Sequence, residues 1–195
     1  MTAEYAHLRV KMVDGQLRTT GITDARILSA MGSIPREAFL PAIRRPLAYL
    51  DEDIYIPTAS GHPRYLMEPA PFAKLVQLAA IGSADRVLDV GCGTGYSSAV
   101  LSQLAASVDG LECEADLAES ARASLAKLGI GNVTIVEGAL ERGYPQNGPY
   151  DVIVVGGAVD DVPEALFGQL DEGGRLVAVT GEGNAGIARI CVKEG

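Results

Sequence analysis

The chain has 195 residues, 48% of them hydrophobic, and a formal net charge of −9 from 16 basic and 25 acidic side chains. That length suits one domain with at most a modest extension, and the apolar share is ample for a packed core. No apolar run reaches the ~18 residues of a membrane span, three scattered cysteines make neither a disulfide framework nor a zinc site, and no Lys/Arg cluster offers a track for phosphates, which argues against a nucleic-acid partner, an anionic membrane and a structural metal.

The opening run MTAEYAHLRVKMVDGQ lacks the apolar centre of a secretory signal. With reduced thiols expected, the chain reads as cytoplasmic. Helical spacing runs through 7–20 and again through 23–31, where Thr23 and Asp24 offer a cap and Ile27, Leu28 and Met31 share a face. Pro35 in IPREAFLP stands where a first helical turn tolerates it. RRPLAYLDEDIYIPTASGHPRY is punctuated by Pro46, Pro57, Gly61 and Pro63 and reads as loop. No strand alternation is visible up to about residue 65, so residues 1–69 are expected to form a helical and irregular cap.

From residue 70 the rhythm changes. APFAKLVQLAAI is an amphipathic helix. Strands then alternate with helices: strand 86–90, helix 95–105, strand 107–112, helix 114–128, strands 132–136 and 150–155, helix 162–170, strand 174–180. VLDV, DVIVV and RLVAV are short and apolar throughout, as in a parallel sheet buried on both faces. AGIARICVKEG is expected to fold back as a further strand after the loop at GEGNAG. The alternation predicts an α/β fold, a doubly wound and mostly parallel Rossmann-like sheet spanning 70–195.

The first of these strands runs into glycines: RVLDVGCGTGYSSAVL, residues 86–101. Gly91, Gly93 and Gly95 permit a tight turn and close backbone approach to a ligand, and the following helix adds free N–H groups. A dinucleotide loop reads G-x-G-x-x-G and seats a pyrophosphate; here the spacing is G-x-G-x-G and an acid, Asp89, precedes it. A carboxylate there repels phosphate and suits a cation. S-adenosylmethionine carries an ammonium and a sulfonium and no phosphate. Glu112, at the end of the second strand, can accept hydrogen bonds from two ribose hydroxyls. Glu112 alone fits NAD equally; Asp89 with the glycine spacing favours S-adenosylmethionine. A glycine-rich turn by itself is often only a turn, and a glutamate at a strand end is often only solvated. The two together on adjacent strands point to a cofactor site.

These residues resemble the first motifs of class I S-adenosylmethionine-dependent methyltransferases. More specifically, MVDGQLRTTGITDARILSAMGSIPREAFLP, RPLAYLDEDIYI, GTGYSSAVLSQL and YDVIVVGGAVDDVPEALFGQLDEGGRLVAVTG resemble the protein-L-isoaspartate O-methyltransferase family over nearly the whole chain. The resemblance implies a class I methyltransferase core with a helical cap. It implies methyl transfer from S-adenosylmethionine to the carboxylate of an isoaspartyl residue in a damaged protein or peptide, leaving S-adenosylhomocysteine. It also implies a cofactor site built from Asp89, Gly91, Cys92, Gly93, Gly95, Tyr96, Glu112, Cys113, Gly138 and Ala139, with no metal.

The chain departs from the family in three places. The family segment Gly-Gln-Thr-Ile-Ser-Gln-Pro aligns without gaps so that Pro69 matches its proline, Tyr65 its threonine, Leu66 its isoleucine and Met67 its serine. A methionine cannot replace the serine hydroxyl, although as a gap-filler it needs no functional explanation. Candidates for polar contact with an acceptor across a reshaped 58–68 loop are therefore Tyr65, Arg64 and His62, the last more readily read as a loop residue than as a base, with Thr58 or Ser60 able to supply a hydroxyl only if the loop is realigned. The family Gly-Asp after the third strand becomes Gly138-Ala139, which removes one adenine contact worth roughly 0.5–1.5 kcal/mol; Glu137 and Glu141 stand nearby. The family continues with another strand where this sequence stops at CVKEG, which implies a shorter sheet edge or a longer parent chain.

Three functions remain open: isoaspartyl methyltransferase, methyltransferase on another acceptor, and a non-catalytic cofactor-binding protein. A NAD-dependent dehydrogenase is disfavoured by the glycine spacing. No heptad or apolar stripe speaks to oligomeric state.

Overall fold

Helical spacing at the start of the chain yields a helix that changes its winding partway. The structure is a computed structural model describing residues 2–181 and 186–194. In it α1 (Thr2–Met12) passes into a π turn at Val13–Leu17 and a 3-10 turn at Arg18–Thr20. The Thr19 and Thr20 hydroxyls donate to the carbonyls of Gly15 and Gln16, each at 2.7 Å, and such back-bonding competes with regular α-helix. Gly21, at φ 90°, ends the run. The second helix, α2 (Ala25–Ser33), is capped by Asp24, whose carboxylate accepts the Arg26 N–H at 2.8 Å. IPREAFLP forms only a 3-10 turn, Arg36–Phe39, with Pro35 just outside it, and a second such turn covers Ala42–Leu47.

The expectation that no strand precedes residue 65 is corrected. β1 (Ile54–Ile56) and β2 (Arg64–Leu66) pair antiparallel as a small separate sheet. Three residues per strand are too few to display an alternation, and the proline-rich loop between them hides the hairpin.

α3 (Pro69–Ala79) buries Phe72, Leu75 and Val76. After it come β3 (Arg86–Val90), α4 (Tyr96–Leu101), β4 (Ser107–Glu112), α5 (Ala115–Lys127), β5 (Val133–Glu137), β6 (Tyr150–Val159), α6 (Glu164–Phe167), β7 (Leu170–Thr180) and β8 (Ile187–Val192). Sheet order is β5-β4-β3-β6-β7-β8, parallel except for β8. The doubly wound class is as expected, and the last strand folds back; most of the loop before it, 182–185, lies outside the described residues. Three boundaries differ. α4 stops at Leu101. α6 is confined between Pro163 and Gly168. β6 and β7 are longer than expected because both are irregular, with register shifts between Tyr150 and Val152 and between Val154 and Ala158. Successive residues face opposite sides of the sheet. Val87, Val152 and Val177 pack with the cap, while Leu88, Ile153 and Leu176 pack with Leu166 of α6.

One buried cation joins the cap to this sheet. Arg36 is wholly inaccessible to solvent. Its Nε donates to the Ala48 carbonyl at 2.8 Å and its Nη2 to the Met67 carbonyl at 2.5 Å. Its guanidinium lies 4.8 Å from the centroid of the Tyr96 ring, which Phe39 and Phe72 meet at 5.7 and 6.0 Å. Arg36→Met keeps the volume but leaves two carbonyls unpaired. It is expected to lower unfolding free energy by about 3 kcal/mol in urea titration, and a loss below about 0.5 kcal/mol would remove Arg36 from this role.

Candidate active site

The chain leaves β3 towards β4 on one side, while β6 and β7 lie on the other, so the order reverses between β3 and β6. Ligands of open α/β sheets bind at such a switch point, beyond the carboxyl ends of the strands. A cleft of about 850 Å³ opens there, floored by Val90, Gly91, Val155 and Gly156 and walled by Pro63–Tyr65, Met67 and Glu68.

The floor is made of backbone. Gly91 has φ 81°, and its N–H donates to the Leu111 carbonyl at 2.8 Å. A Cβ on Gly156 would stand 3.1 Å from the Gly91 carbonyl oxygen and 3.2 Å from that of Val90. Residues 155–157 of β6 face the single Ala178 of β7, since Val154 pairs with Val177 and Ala158 with Val179. That bulge carries Gly156 into the cleft. The glycine pair inside DVIVVGGAV was the available signal for this approach, and the sequence reading passed over it.

Glu112 ends β4 and is wholly buried. Its Oε1 accepts the N–H groups of Cys113 and Glu114 at 2.9 and 3.1 Å, and its Oε2 accepts that of Gly93 at 2.7 Å. Both oxygens also meet Arg64, Nη1 to Oε1 and Nη2 to Oε2, each at 2.7 Å. Gly138 joins this group through its N–H to the Glu112 carbonyl at 3.0 Å. Ala139 leads into Leu140 and Glu141, which line the cleft, whereas Glu137 is held by Arg122 at 2.8 Å.

Asp89 lies elsewhere than facing the cleft. It is wholly buried beneath the loop, where the Ser97 and Ser98 hydroxyls each donate to Oδ2 at 2.6 Å. Burial pushes its pKa up to about 6 against the pull of those hydroxyls, and the Glu112 charge adds to the rise. Cys92 is likewise buried, and loss of solvent raises its thiol well above the ordinary range. Tyr96 is a core residue under Arg36, and Gly95 turns the loop into α4 at φ 92°. Cys113 is exposed, 3.3 Å from Arg64 Nη1.

The acceptor-loop candidates divide. Arg64, Tyr65 and Met67 line the cleft. Thr58 and Ser60 do not: Thr58 donates to the His62 carbonyl at 2.8 Å and Ser60 to Glu114 Oε1 at 2.9 Å, where His62 Nδ1 also lies at 3.2 Å. The Ala59 N–H reaches Asp116 at 2.9 Å. The 58–64 loop is thus fastened to the end of β4 and the start of α5 by acids that the sequence reading had left out. Among the described residues no cluster of three or more His, Cys, Asp or Glu side chains could hold a metal ion.

The profile of the family described as protein-L-isoaspartate(D-aspartate) O-methyltransferase matches residues 9–195. Relatives called protein-L-isoaspartate O-methyltransferase include one from Koribacter versatilis, 44% identical over 89% of this chain and 76% of its own length, and one from Roseiflexus, 38% identical over 98% of this chain and 86% of its own. A solved protein-L-isoaspartate O-methyltransferase superposes with TM-score 0.83 at 32% identity over 95% of this chain, which spans 60% of that structure's length. A Plasmodium falciparum structure in complex with S-adenosyl-L-homocysteine shares the fold, with TM-score 0.79 at 21% identity, covering 96% of this chain and 90% of that one.

The Asp89 environment sets a pH dependence. Its folded pKa of about 6 lies above the ordinary 3.8. Below 3.8 both folded and unfolded chains hold the proton and no penalty arises. Through the window up to 6 the unfolded chain releases it first, and above 6 the full penalty is present, about 2–3 kcal/mol. Asp89→Asn is therefore expected to gain that much stability relative to the parent as pH rises across the window, read by urea titration at each pH. A difference that stays flat would mean an unshifted carboxyl.

Proposed function

The chain belongs to the protein-L-isoaspartate O-methyltransferase family, and on that premise we propose that it methylates the carboxylate of isoaspartyl residues in proteins or peptides with S-adenosylmethionine as donor. Glu112 is the observation that carries this reading. Its two oxygens, held by backbone N–H groups, already accept two parallel donors from Arg64, and a ribose diol makes the same demand. The floor at Gly91 is bare, with the nearest atoms to an added Cβ at 3.5 Å or more, while Gly156 packs its main chain against that of Gly91. The residues present therefore fit the cofactor. Glu112 would hold the ribose, Gly91–Gly93 the amino-acid end and Gly138–Leu140 the base. Asp89, an acid beneath the loop, favours a cationic ligand over a phosphate.

When bound, S-adenosylmethionine supplies a methyl group on a sulfonium, which leaves as a neutral thioether and needs no proton. A carboxylate acceptor is ionised at neutral pH, so no side chain has to act as a base. The work of this chain is positional: the 63–68 segment walls the cleft, and Met67, Tyr65 and Arg64 shape the acceptor side. A second reading, another acceptor, is favoured by the acids Asp53, Glu68, Glu141 and Asp161 along the cleft. The free cysteines support a reducing, cytoplasmic setting. The lack of a basic cluster supports a peptide over a nucleic acid. Among the described residues no helix is long and apolar enough to cross a membrane.

The deciding experiment is transfer of labelled methyl to an isoaspartyl peptide beside its aspartyl twin. Base-labile ester on the first alone is expected, and ester on neither would remove the isoaspartyl substrate. Glu112→Ala is expected to weaken S-adenosylhomocysteine binding by roughly tenfold or more in calorimetry. Unchanged binding would dissolve the cofactor site as drawn.

A further inference from the structure

Arg64 is the only cation among the described residues that line the cleft, against Asp53, Glu68, Glu141 and Asp161. An anionic acceptor entering such a cleft meets repulsion unless that one positive charge is available. In the structure that charge is already paired, because Nη1 and Nη2 of Arg64 each donate to a Glu112 oxygen at 2.7 Å. The same Glu112 oxygens are those the cofactor ribose needs. The side chain is mostly buried, at 19% exposure, so a guanidinium displaced from Glu112 stays beside the cleft and requires a new partner.

We propose that Arg64 is an exchangeable clamp: the cofactor ribose takes its place on Glu112, and the released guanidinium binds the acceptor carboxylate. The inference rests on the cofactor and acceptor proposed above. One acceptor oxygen is held by an Arg64 N–H while the other is left to face the methyl group. A polar contact on the acceptor is thereby supplied from a residue two positions before the hydroxyl-free Leu66-Met67 pair. Cofactor binding thus creates the acceptor site, and the binding order is cofactor first. Linkage then requires that acceptor and cofactor tighten each other by the same factor.

Calorimetry on the intact chain tests this without turnover. An isoaspartyl peptide is titrated into the protein alone and into the protein saturated with S-adenosylhomocysteine, with the asparaginyl peptide as neutral control. The expected result is at least a tenfold tighter isoaspartyl peptide in the saturated protein and no such gain for the control. Arg64→Ala is expected to abolish that gain while binding S-adenosylhomocysteine as well as or better than the parent, since no side chain then competes for Glu112. Arg64→Lys, which keeps the charge but not the paired donors, is expected to retain part of the gain. Equal peptide affinity with and without S-adenosylhomocysteine in the parent overturns the exchange, as does a full gain in Arg64→Ala. A parent that binds no S-adenosylhomocysteine at all overturns the cofactor reading instead, which keeps the two failures apart. A gain for a cationic peptide in place of the isoaspartyl one would assign the cleft to the other acceptor class.

Discussion

A guanidinium sealed from water is costly unless partners are found for it, and Arg36 finds them for Nε and Nη2, though not for Nη1, by reaching into three parts of the chain at once. It takes the Ala48 carbonyl from the cap and the Met67 carbonyl from the cleft wall, and lies over the Tyr96 ring at the head of α4. Cap, wall and cofactor loop therefore share one reference point. Because the donors of a guanidinium are fixed in a plane, the position of the Met67 backbone relative to the glycine loop is set to within the tolerance of a hydrogen bond. The short β1–β2 hairpin could not hold that position by itself, since an isolated two-stranded sheet is marginal in water.

The regular part of the molecule was legible in the residues. Apolar runs such as VLDV and DVIVV belong to strands covered on both faces, and the glycines after Asp89 fell where a turn with positive φ was required. What could not be read was set by tertiary contact. β1 and β2 exist because three residues of each find one another across a loop, not because either carries a periodic pattern. The register of β6 against β7 is interrupted by a bulge at the point where Gly156 approaches Gly91.

The site was half legible in the same way. Residue types named Glu112, Arg64, Tyr65 and Met67 as candidates, and the structure brings all four to one end of the sheet. Residue types alone could not tell that Asp89 would turn under the loop towards two serine hydroxyls, or that Thr58 and Ser60 would be consumed in holding their own loop. Hydroxyls near a glycine-rich loop have many local acceptors, and which one wins depends on chain geometry and not on composition. Arg36 had no signal beyond its place after a proline, since an arginine is ordinarily expected outside.

The cleft floor at Gly91 and Gly156 consists of main chain pressed against main chain. A side chain at Gly156 meets two carbonyl oxygens and one at Gly91 must adopt φ 81°, so the floor has little freedom to drift in sequence. The wall from Pro63 to Glu68 is built of side chains and carries no such restriction. Selection acting on this protein would therefore have two speeds: a nearly frozen floor at Gly156, and a wall whose exposed side chains, such as Tyr65, are more readily rewritten.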